Sequence, residues 1–72
     1  MYIIRTEKTE ELKQGRTLTY IANKIGLSRV YLSYVFNAKH TAEKQLIEKI
    51  LKFCLNQTNV SEEDIEKYFK KI

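Results

Sequence analysis

The 72-residue chain is nearly empty of the residues from which catalytic and metal centres are built, with one cysteine, one histidine and one aspartate (Cys54, His40 and Asp64). A lone cysteine closes no internal disulfide, and set among Ile50, Leu51 and Leu55 it reads as a buried, reduced thiol. The two glycines, Gly15 and Gly26, make no phosphate-cradling loop. The glutamates cluster at expected helix starts, where the positive helix end accounts for them. Nothing assembles a nucleophile, a base and a group to orient them, so the sequence predicts no enzyme, no cofactor, no metal and no small-molecule ligand. No apolar run approaches the roughly 18 residues of a membrane span. The opening Met-Tyr-Ile-Ile-Arg-Thr turns polar too soon for a signal peptide, and a cytoplasmic location is expected. There is no proline, no internal repeat and no low-complexity tract.

A further absence is regional. From Leu12 to Ala42 there is no Asp or Glu, while Lys13, Arg16, Lys24, Arg29 and Lys39 give the window a charge of +5. The remaining residues carry eight bases against nine acids, or −1. Basicity placed in one stretch favours a face for a polyanion over general solubility. The length allows a single domain, residues 1–72, and a composition of 43% hydrophobic and 31% charged residues belongs to a globular chain.

Periodicity predicts an all-α fold, a compact five-helix bundle, with Tyr2–Arg5 extended or forming a brief strand. Thr6 or Thr9 caps the first helix and Gly15 stops it. Thr17 caps a second helix, Leu18 to Ile25, ended by Gly26. Ser28 caps a third, Arg29 to about Asn37. A fourth runs from Thr41 to about Asn56, and a polar Asn56-Gln57-Thr58-Asn59 segment follows it. Ser61, with Asp64 three residues on, opens the fifth.

The second and third helices carry the most specific signal. Two short helices crossing steeply need a small residue where their backbones meet, which Ala22 supplies. The turn between them needs a positive φ, which Gly26 adopts at little cost. Leu27 plugs the turn, Ile21 and Ile25 face inward, and Leu32 and Val35 anchor the third helix. The stretch TLTYIANKIGLSRVYLSYVFN (residues 17–37) thereby resembles the helix-turn-helix of the phage repressor (Cro/C1-type) family, and its opening is also similar to lactose-repressor-type headpieces. One helix before the unit and two after it favour the Cro/C1 order over almost the whole chain. The pattern departs at Leu18, where many members place glutamine, and at Asn37-Ala38-Lys39, which replaces Asn-Gly-Lys and lacks the proline that usually follows.

The resemblance implies a third helix lying in the major groove of double-stranded DNA, with Ser28, Arg29, Val30, Ser33 and Tyr34 reading base edges. Arg29 suits guanine and Val30 a thymine methyl. Arg16, Thr17, Thr19, Tyr31, Asn37, Lys39, His40 and Lys44 are the candidates for backbone contacts, beside the free N–H groups at the start of the second helix. Tyr31 and Tyr34 equally suit packing, Lys39 and Lys44 ordinary solvation, and His40 an incidental loop position. Ile65, Tyr68, Phe69 and Ile72 form a helical stripe that either closes the core or joins a second copy. The function expected is a sequence-specific transcriptional regulator, a repressor acting as a homodimer on a palindrome. The alternative is a protein-interaction module such as an antitoxin or a phage antirepressor.

Overall fold

The structure, a computed structural model describing residues 1–72, runs β1 (Tyr2–Ile4), a 3-10 turn (Thr6–Lys8), α1 (Thr9–Lys13), α2 (Leu18–Ile25), α3 (Arg29–Phe36), α4 (Lys44–Cys54), α5 (Glu62–Tyr68) and β2 (Phe69–Lys71). Hydroxyl side chains start three of the helices as the sequence predicts. Thr17 Oγ1 accepts the Tyr20 N–H at 3.1 Å, and Ser28 Oγ accepts the Tyr31 N–H at 3.4 Å. At α5 the cap is reciprocal: Ser61 Oγ accepts the Asp64 N–H, and an Asp64 carboxylate oxygen accepts the Ser61 N–H.

Helix ends follow one pattern with three different residues. Gly26, Ala38 and Asn56 each stand in the left-handed region, at φ 71°, 60° and 55°. In each case the next N–H reaches back over the end: Leu27 to Ala22 O, Lys39 to Tyr34 O and Gln57 to Lys52 O, at 2.8–3.0 Å. These are Schellman closures, which satisfy carbonyls that the helix leaves unpaired.

Four expectations are corrected. Neither Thr6 nor Thr9 caps α1; Thr9 Oγ1 instead donates to Thr6 O, and the chain enters α1 through the 3-10 turn. The left-handed residue ending α1 is Gln14, with Gly15 following it at φ 78°. Thr41 does not open α4, because Ala42 is extended and exchanges both backbone hydrogen bonds with Tyr2, at 2.9 and 2.8 Å. The helix begins only at Lys44.

The fourth correction concerns the C-terminus. The fifth helix does not continue to Ile72; after Tyr68 the chain extends into β2, which pairs antiparallel with β1 in the register Tyr2↔Lys71, Ile3↔Lys70 and Ile4↔Phe69. The fold is therefore mostly helical with a two-stranded sheet, not all-α. The physical reason lies in β1, whose backbone groups need partners that no helix can give. Ile65, Tyr68 and Phe69 are buried within the chain, whereas Ile72 is 65% exposed. The core takes these three residues of the stripe, the closing role that the sequence allowed for it, and leaves Ile72 outside.

One apolar cluster holds the elements together. Leu12, Ile21, Leu32, Ile47, Ile50 and Ile65 are all fully buried, one or two from each of the five helices. No polar side chain is buried. No helix is long and apolar enough to cross a membrane.

Candidate nucleic-acid interface

Packing fixes which side of α3 faces outward. Leu32, Val35 and Phe36 are buried, which turns Arg29, Val30, Tyr31 and Tyr34 to the surface. Behind α3, α2 buries Ile21, Ala22 and Ile25, with Ala22 only 1% exposed. Gly26 holds the turn between the two helices in the left-handed conformation that its sequence position predicts. Neither helix has an acid in its first turn, so neither compensates its own positive end.

The five cations of the acid-free window divide sharply. Lys13 pairs with Glu10 at 3.0 Å. Arg16 is drawn inward: its Nε donates to Lys13 O at 3.0 Å, its Nη2 donates to Cys54 O at 2.7 Å, and its guanidinium lies 4.8 Å from the Phe53 ring centre. It clasps the end of α1 to the end of α4. Lys44, outside the window, pairs with Glu62 at 2.7 Å. That hydrogen bond raises the Lys44 pKa and lowers that of Glu62. Arg29, Lys24 and Lys39 form no salt bridge.

The remaining candidates are similarly sorted. Thr17 and Ser28 each accept one capping N–H on the side-chain oxygen, while Thr19 is exposed on the first turn of α2. Asn37 folds its amide back onto α3, where Nδ2 donates to Ser33 O at 2.8 Å and to Ser33 Oγ at 3.2 Å. Asn37 and Ser33 are thus engaged with each other. His40 stands against both Tyr31 and Tyr34, with ring centres 5.9 and 5.3 Å away. These three aromatic side chains form one cluster, and Arg29 and Val30 precede its tyrosines at the start of α3.

Tyr20 and Lys24 are exposed on α2 and were not among the site residues expected from sequence. Tyr20 is 47% exposed, with Lys24 Nζ 5.4 Å from its ring centre and Phe53 packed on it at 6.2 Å. Their signal was available: positions 20 and 24 share one helix face, opposite the buried Ile21, Ala22 and Ile25. The only internal large apolar side chains left exposed, Tyr20, Val30, Tyr31 and Tyr34, all lie on α2 and α3. A surface of this kind can hold anions, pack on flat or methylated rings and donate paired hydrogen bonds from Arg29. Comparison with protein-family models, curated proteins and solved structures finds no match.

Proposed function

We propose that the chain is a sequence-specific DNA-binding transcriptional regulator, a repressor that uses α2 and α3 as a helix-turn-helix with α3 in the major groove. The observation that carries this reading is Arg29, exposed at the first position of α3 and free of any acidic partner, on a helix pair braced by two side-chain caps. Its fork of donors matches guanine O6 and N7. Lys24 and Lys39 supply charge to either side in sequence, and the open start of α2 offers N–H groups to a phosphate. A single α3 makes few base contacts, so two copies on a palindrome would read half-sites roughly 34 Å apart.

The test is selection of bound duplexes from a random DNA pool, followed by affinity measurements over a range of salt. Enrichment of a palindrome with a steep salt dependence supports the reading, and the absence of enrichment ends it. A second reading has one observation in its favour: exposed tyrosines beside an arginine are the residue types that dominate protein interfaces. The same surface would then serve an interaction module, such as an antitoxin or a phage antirepressor. Partner binding of that kind would change little with salt, whereas phosphate contacts weaken steeply.

A further inference from the structure

Val30 is the least explained residue on the exposed face of α3. It is 56% exposed, more than Tyr34 or Tyr31, and contributes nothing to the buried cluster. A β-branched residue lowers helix propensity, so its place there is not owed to local stability either. Both tyrosines pack on His40 of the loop after α3, whereas Val30 is the second residue of α3, next to Arg29 in sequence. The chain therefore sets one small, rigid apolar group next to one unpaired guanidinium, with no acid from Leu12 to Ala42 to repel a polyanion.

We infer that Val30 makes this protein sensitive to the C5 methyl group of a pyrimidine neighbouring the guanine that Arg29 reads, so that 5-methylcytosine substitutes for thymine there. The inference rests on the DNA-binding reading. In the major groove the pyrimidine C5 methyl is the one apolar feature of a base edge. Cytosine lacks it, and methylation at C5 places the same group at the same position. An isopropyl group on a helix in contact with it would gain roughly the burial of one methyl, or about a fourfold change in affinity. DNA binding by this chain would then respond to the methylation state of its site.

The experiment uses the full chain and the duplex most enriched from a random pool. Each thymine is replaced in turn by uracil, which removes only the methyl, and then by 5-methylcytosine paired with guanine. The wild-type protein should lose about fourfold at one uracil position and recover at that position with 5-methylcytosine relative to cytosine. Val30→Ala, an exposed substitution that leaves the core intact, should bind the thymine and uracil duplexes equally. A selected site with no uracil-sensitive position overturns the inference and leaves DNA binding standing. Uracil sensitivity that persists unchanged in Val30→Ala also overturns it. A pool that yields no enriched duplex ends the DNA-binding reading and the inference with it.

Discussion

At Ala38 the backbone adopts φ 60°, which closes α3 through bonds from Ala38 N–H to Val35 O and from Lys39 N–H to Tyr34 O. An L-residue with a Cβ pays about 1–2 kcal/mol to stand there, and glycine does not. Glycine in turn loses more freedom on folding, by roughly 0.4–1 kcal/mol. Ala38→Gly should therefore stabilise the protein by about 0.5–1 kcal/mol in urea denaturation, and a loss of stability would show that Ala38 is held by its packing instead. This is also where the sequence departs from the Cro/C1 pattern it resembles, and Ala38 holds its left-handed conformation at a cost in strain. For the proposed DNA binding, two cations carry the predictions at this scale. Arg29→Ala should cost about 1–3 kcal/mol on the selected site and relax its preference, whereas Lys39→Ala should weaken all duplexes alike and lower the salt slope by about 1. Equal losses for Arg29→Ala on every duplex would return Arg29 to a backbone role.

Among the elements, the helix starts at Thr17, Ser28 and Ser61 and the turn at Gly26 were legible because each depends on a few adjacent residues. The boundaries that failed at Thr41 and Phe69 depend on distant ones. Nothing near Thr41 says that Ala42 will pair with Tyr2, and nothing near Phe69 says that Ile4 lies opposite it. One clue was present: an extended Tyr2-Ile3-Ile4 run needs a hydrogen-bonding partner, and a purely helical chain would leave its backbone groups unpaired. The partners of Arg16 and Lys44 were hidden for the same reason, since they lie 38 and 18 residues away. The arrangement gives α5 and β2 a closing role, with Phe69 at 1% exposure filling the core and Ile72 outside it. Phe69→Ala should cost about 3–5 kcal/mol, much of the stability of so small a domain. Ile72→Ser should stay within about 0.5 kcal/mol, because surface positions rarely matter more. Equal destabilisation by the two variants in thermal melts would mean that the C-terminal segment packs differently in solution.

For the molecule as a whole, charge is segregated. The acids tie α1, α4 and α5 together away from α2 and α3, and the bonds they make set the pH range of the fold. Tyr68 Oη donates to Glu11 at 2.9 Å, and Lys67 lies 3.4 Å from the same carboxylate oxygen. The tyrosine hydrogen bond, followed by the two lysines, holds Glu11 below its ordinary pKa of 4.5, and the Lys44 contact does the same for Glu62. A carboxylate with a depressed folded pKa binds its proton less readily in the folded chain than in the unfolded one. Its contribution is present above pH 4.5 and lost as pH falls through the lowered value. On the alkaline side, burial pushes the Cys54 thiol from 9.0 up to about 11, only partly opposed by Arg16, so its contribution is complete below 9.0 and lost as pH rises through about 11. The fold should be most stable between those limits. Glu11→Gln keeps a polar group beside Tyr68 but cannot titrate, so it should flatten the acid decline in urea midpoint between neutral pH and pH 3. The same substitution leaves α2 and α3 untouched, and DNA affinity at neutral pH should be unchanged. An acid decline as steep in the variant as in the wild type would place the acid sensitivity on other carboxylates, with Glu62 the next to test.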